Sequence, residues 1–193
     1  MRHIRSTLYA ALLLSANAAL PAHAAGADLA TLEALRDGDM QKLVLLAAPK
    51  PLPDGALETV LLDPTDGEHT LADYAGKYVL LNFWATWCAP CRKEMPSLDR
   101  VQATLGSDTF VVIPIATGRN SVEGIAKFFT EADITSLTTL RDPNMELSRN
   151  MGVLGLPITV ILNPQGQEIA RLIGDAEWDS PSATAILTAI TAP

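Results

Sequence analysis

The feature that most limits what this chain can become is one apolar run, YVLLNFWA at residues 78–85, which leads straight into Thr-Trp-Cys-Ala-Pro-Cys. Eight residues without a charge cannot alternate between core and water. A strand here has to be covered on both faces, as at the centre of a sheet with helices above and below. Residues 90–105 follow with helical spacing, and FVVIPIA at 110–116 is a second buried run. Strand, helix, strand in that order makes a crossover unit of an α/β domain.

The flanking patterns extend that domain. ETVLLDPTDGEHTL at 58–71 predicts two short strands around a Pro/Asp/Gly turn, an N-terminal β-hairpin added to the sheet. Residues 122–132 predict a helix capped by Ser121, SLTTL at 136–140 a short strand, and NMELSRNMG at 144–152 a short helix closed by Gly152. PITVILNPQGQEIARLIG at 157–174 predicts two strands around an Asn-Pro-Gln-Gly turn, before a final helix from about Pro181. The result is a mixed central sheet flanked by helices, with a βα insertion in the middle. Upstream, residues 28–46 carry apolar residues at helical spacing behind a possible Asp28 N-cap, interrupted by Gly38. AAPKPLP at 47–53 reads as an extended connector, so a helical extension over 25–53 is expected to precede a main domain over 54–193.

The first residues predict export. Arg2 and Arg5 precede the apolar stretch 6–20, and Ala22-His23-Ala24 offers a small-x-small cleavage site, so residues 1–24 read as a signal peptide or, if retained, an inner-membrane anchor. Without them the 14 basic residues fall to 12 against 22 acids, and the formal charge moves from −8 to −10. A domain this acidic is a poor partner for nucleic acid. Nothing in the sequence demands more than a monomer.

The chain has two cysteines, Cys88 and Cys91. As a staple they are weak, since closing a four-residue loop contributes about 1.9 kcal/mol against about 4.7 for a 100-residue loop. Zinc normally takes four ligands, and only the distant His69 would join the two sulfurs; two thiolates alone suit Cu(I), which leaves a copper carrier as an alternative. The redox reading fits better. A Cys-x-x-Cys opening a helix places Cys88 among unpaired N–H groups that favour thiolate, and lowering a thiol pKa from about 8.5 to about 7 raises the ionised share at pH 7 from about 3% to half. Cys88 is then the attacking sulfur and Cys91, one turn on, the resolving one.

FWATWCAPCRKEMPSL, together with GVLGLPITVILNPQGQEIARLIG and the following AEW, resembles the exported TlpA-like branch of the thioredoxin superfamily, which also holds the ResA and CcmG proteins. The resemblance covers residues from about 51 to 178, and the extension with PKPLPD tilts it to the TlpA side. It implies a thioredoxin fold acting through a redox-active disulfide and no other cofactor. It implies that Pro157 is a cis-proline facing the cysteines, rather than only the start of a strand, and that Leu156 presents its backbone to an incoming polypeptide. Trp87, Ala89 and Pro90 would form the client-facing rim, with Phe83 and Trp84 packed in and beside the core. Where cytosolic thioredoxins carry a buried aspartate this chain has Asn82, and Glu94 occupies the position of the acid that takes part in proton transfer in this branch. By its neighbours Arg92 and Lys93, Glu94 also reads as an ordinary solvated helix acid. Met145 and Met151 are spaced as helix packing, and Arg119 and Asn120 belong to no motif.

The resemblance also suggests a direction. Strongly oxidising relatives carry Pro-His between the cysteines, and Ala89-Pro90 resembles the reducing members, which leaves a disulfide-forming oxidant as the reverse alternative. A reductant in the periplasm needs a membrane thiol transporter as electron donor. Its clients would be oxidised cysteine pairs on exported proteins: a copper chaperone, the copper-binding subunit of an oxidase, or apocytochrome c.

Overall fold

The computed structural model describes residues 27–192; the predicted signal segment lies outside the described residues. Eight strands form one mixed sheet. They are β1 (Val44–Lys50), β2 (Leu61–Leu62), β3 (Glu68–His69), β4 (Tyr78–Trp84), β5 (Phe110–Thr117), β6 (Leu140–Asp142), β7 (Ile158–Leu162) and β8 (Glu168–Ile173), in the spatial order β1-β8-β7-β4-β5-β6-β2-β3. The apolar run is indeed central: every residue of β4 is buried, and the strand pairs parallel with β5 and antiparallel with β7. Among the described residues the α-helices are α1 (Leu29–Ala34), α2 (Ala89–Leu105), α3 (Val122–Glu131), α4 (Glu146–Asn150) and α5 (Pro181–Thr191).

Alternation along β4 sorts the core into two layers. Tyr78, Leu80 and Trp84 pack with residues of α2, α3 and α5, whereas Val79, Leu81 and Phe83 pack with Leu147 of α4 and Leu71. Asn82 shares the parity of Leu80 and Trp84, so its amide points into the α2 side. Two parallel crossovers in succession, β4-α2-β5 and β5-α3-β6, put α2 and α3 on that same face.

The N-terminal segment departs from the expected helix over 28–46. Asp28 does cap α1, accepting from Thr31 N at 2.9 Å, but α1 stops at Ala34. A 3-10 turn over Gly38–Lys42 follows, Gly38 holding a φ of +53°, and Val44 to Lys50 become a strand of the main sheet. The connector expected at 47–53 is therefore partly this strand. Leu45 pairs with Ala170 and Lys50 with Glu168, which makes β1 an outer strand in which Pro49 is tolerated because an edge leaves N–H positions unused. The periodic leucines misled because Met40 and Leu43 reach the core from a turn and its exit, not from one helix.

Two smaller differences share a local cause. The strand expected at 136–140 forms only from Leu140, because the amides of Thr135, Ser136 and Leu137 all donate to Asp99 Oδ1, at 3.2, 2.7 and 3.0 Å. Met145 does not pack inside a helix: it is the left-handed N-cap of α4, half-exposed, while Asp142 accepts from Glu146 N and Ser148 N. Met151 packs in the core as expected.

Candidate active site

Cys88 ends the turn after β4 and is the N-cap of α2, with its Sγ accepting from Cys91 N at 3.3 Å. Pro90 fits here because a helix's first turn has no use for that N–H. The two sulfurs form a disulfide with a Cα–Cα distance of 5.3 Å. Both cysteines are buried, Cys88 retaining 6% exposure and Cys91 none. Trp87 is 68% exposed beside them, and Ala89 and Pro90 are also exposed, whereas Phe83 and Trp84 are fully buried.

The turn is held from outside the motif. Asn120 Oδ1 accepts from Thr86 N at 2.8 Å and Thr86 Oγ1 at 3.0 Å, while its Nδ2 donates to Thr117 O at 2.9 Å. Asn120 thus ties the approach to Cys88 to the end of β5. Nothing in its sequence context marks it beyond being polar after a buried strand.

The Leu156–Pro157 bond is cis. Ile158 pairs with Phe83, which sets Pro157 level with Trp84, at the end of the sheet that carries the cysteines. Pro157 O accepts from Gly174 N at 3.0 Å, fixing the two loops side by side. Leu156 is half-buried against both core layers.

Glu94 is not a solvated helix acid. It is 1% exposed, and its carboxylate accepts from three donors: Asn82 Nδ2 to Oε1 at 2.8 Å, and Ala176 N and Trp178 Nε1 to Oε2 at 3.1 and 3.2 Å. Burial pushes its pKa up to about 7; the three hydrogen bonds pull the other way, and the charge of Asp175 adds to the rise. Asn82 also donates to Thr159 Oγ1 at 2.9 Å, while its buried Oδ1 has no partner. Ser97, one residue beyond Pro96, accepts from Trp178 N at 3.0 Å and donates to Glu94 O at 2.7 Å. Three residues along α2 from Cys91, this acid lies on the same side of the helix as the sealed sulfur. Trp178 and Ala176 are the donors that residue-level reasoning missed; the AEW segment was their only trace.

Around the mouth Lys93 pairs with Asp175 at 3.1 Å and Arg92 with Glu131 at 3.8 Å, and the Arg92 guanidinium lies 4.9 Å above the Phe128 ring. A cleft of about 300 Å³ under α3, lined by Ile125, Phe129, Leu137 and Arg141 among others, is bordered by neither cysteine. Among the described residues no three His, Cys, Asp or Glu side chains converge as a metal site.

The family model for AhpC/TSA matches residues 50–169, more than half of the chain. The chain belongs to the AhpC/TSA family. Its curated relatives include the thioredoxin-like protein YneN of Bacillus subtilis, 33% identical over 59% of this chain and 64% of that protein. The ResA thiol-disulfide oxidoreductase of Geobacillus thermodenitrificans is 31% identical over 58% of this chain and 63% of its own length. The match spans less than two thirds of both. Among solved structures, the pneumococcal exposed lipoprotein thioredoxin Etrx1 of Streptococcus pneumoniae is 28% identical with a TM-score of 0.56, covering 65% of this chain and 96% of that one. The fold is the thioredoxin-like one the resemblance implied, with its mixed sheet, added hairpin and inserted βα unit.

Proposed function

We propose that this chain is an exported thiol:disulfide oxidoreductase that reduces cysteine pairs on client proteins through Cys88 and Cys91. The observation that carries the reading is the disulfide at the start of α2, with Cys88 slightly exposed, Cys91 sealed, and a cis Leu156–Pro157 bond at the same end of the sheet. In the reduced protein the Cys88 thiolate attacks a client disulfide, forming a mixed disulfide and expelling one client sulfur as a thiolate that takes a proton from water. Cys91 then gives up its proton and attacks Cys88, which frees the second client thiol and leaves the Cys88–Cys91 disulfide. Two electrons pass to the client, and a membrane thiol transporter returns two to this chain. Glu94 takes the Cys91 proton, since an acid with a pKa of about 7 is close to balanced between its two forms at neutral pH. Trp87, Ala89, Pro90 and Leu156 form the client-facing rim.

The ResA relative supports thiol-disulfide chemistry, and Ala89-Pro90, which lacks the histidine of strongly oxidising members, supports the reducing direction, with clients whose cysteines must be free to take up copper or haem. The periplasm is the compartment that suits such clients. The test is capture with Cys91→Ser in cells: Cys88 should hold exported proteins as mixed disulfides, and failure to trap any of them sinks the assignment. A redox titration should place the couple near the reducing thioredoxins, about −270 mV; a value near −120 mV reverses the direction.

A further inference from the structure

The carboxylate of Glu94 is linked to the N-terminal segment through one peptide group. Ala176 N, which donates to Glu94 Oε2 at 3.1 Å, belongs to the Asp175–Ala176 peptide, and the carbonyl of that peptide accepts from Lys42 Nζ. The next peptide is pinned from the same side: Glu177 N donates to Asp39 Oδ2 at 3.1 Å, and Asp39 pairs with Lys42 at 2.9 Å. Asp39 and Lys42 sit on the 3-10 turn over Gly38–Lys42, which Met40 and the following Leu43, both fully buried, anchor in the same core layer as Trp178. A cation on a peptide oxygen holds the peptide plane and polarises its N–H, which strengthens the bond that N–H donates.

We propose that Lys42 is a positioning residue for Glu94: by holding the Asp175–Ala176 peptide it keeps the Ala176 N–H on the carboxylate and so sets how much of Glu94 is ionised. The inference rests on Glu94 serving as the proton acceptor for Cys91, and it assigns control of that acid to a segment outside the part of the chain that the AhpC/TSA family model matches. The other groups facing Glu94 are accounted for. Asn82 and Thr159 on the sheet are neutral, Asp175 adds a negative charge that raises the Glu94 pKa while itself paired with Lys93 of α2, and Glu177 is turned to Arg100 at 3.0 Å. Lys42 is 41% exposed at its side chain, so its direct field is screened and the effect has to pass through the peptide.

The experiment follows the Glu94 carboxyl of the intact oxidised protein by isotope-edited infrared or NMR titration. In Lys42→Met the midpoint should rise, with about threefold less carboxylate relative to acid at pH 7, and the Ala176 amide should exchange faster with solvent. Lys42→Arg, which keeps a donor and a charge, should restore both readings. An unchanged midpoint and unchanged Ala176 exchange in Lys42→Met overturn the proposal. So does a wild-type midpoint in Lys42→Met combined with Asp39→Asn, since that would reduce the effect to an unbalanced surface charge. The reading beneath it fails separately: if Glu94→Gln leaves the pH profile of thiol reactivity as in wild type, Glu94 is no proton acceptor, while a Lys42-dependent midpoint still stands.

Discussion

Helix α2 buries two carboxylates five residues apart, on either side of Pro96 and Ser97, and the fold treats them differently. Asp99 gives one oxygen to the amides of Thr135, Ser136 and Leu137, three consecutive backbone donors that lock the entry to β6 against the helix. Glu94 divides two oxygens among a side-chain amide of β4 and, from the distant segment 176–178, an indole and one backbone N–H. The first is a latch: its acceptor role is consumed by one loop. The second is a carboxylate whose donors do not outweigh desolvation, so its pKa stands at about 7 and it can exchange a proton near neutrality. Two acids buried on one helix thus differ in where their donors come from, one loop for Asp99 and a strand plus a distant segment for Glu94.

The contrast breaks most visibly at Asp99. Asp99→Ala leaves three amides without their acceptor, of which Leu137 N is buried, and should cost about 4 kcal/mol in urea unfolding. The pH profile of thiol reactivity should stay as in wild type; a shifted profile would mean that Asp99 also serves the cysteines.

Glu94→Gln should act through pH instead. The folded pKa of about 7 lies above the ordinary 4.5, so this group's contribution is fully present below pH 4.5 and lost as pH rises through 7. By linkage that loss amounts to about 3 kcal/mol, and Glu94→Gln should remove it from the stability curve between pH 4 and 8. If the variant keeps the wild-type slope, Glu94 does not titrate in that range and the contrast with Asp99 fails.

Smaller effects test the frame around the site. Asn120→Ala removes the acceptor shared by Thr86 N and Oγ1 and should lower stability by about 1 to 2 kcal/mol in thermal unfolding, together with client reduction, because the turn before Cys88 loses its tether. Trp87→Ala, at a position 68% exposed, should change stability by no more than about 0.5 kcal/mol while slowing client reduction several-fold in an insulin or peptide disulfide assay. Unchanged client kinetics would remove Trp87 from the docking rim.

The central strands, the two main crossovers and the cysteine helix were legible because each is announced locally, by an apolar run, a cap or a turn. The Asn-Pro-Gln-Gly turn is such a case: Asn163 Oδ1 accepts from Gln165 N and Gln167 N, and Gly166 takes a φ of +72°. β1 was not legible because an edge strand has one partner and mostly exposed residues, so no period-2 pattern is imposed on Val44 to Lys50. The site divides the same way. Cys88, Cys91 and Pro157 are visible as a motif. The state of Glu94 is not, since its indole and backbone donors lie more than 80 residues away in sequence, and only packing brings them in.

That separation has a consequence for the order in which the chain becomes competent. The Cys-x-x-Cys helix and its strand are local and can form early, but the Glu94 cradle needs residues 176–178, and β1 pairs with β8 across roughly 125 positions of sequence. Contacts of such long range are the slow ones to close. The two cysteines therefore precede the Glu94 cradle as the chain folds, and the carboxylate gains its full set of donors only when residues 176–178 dock.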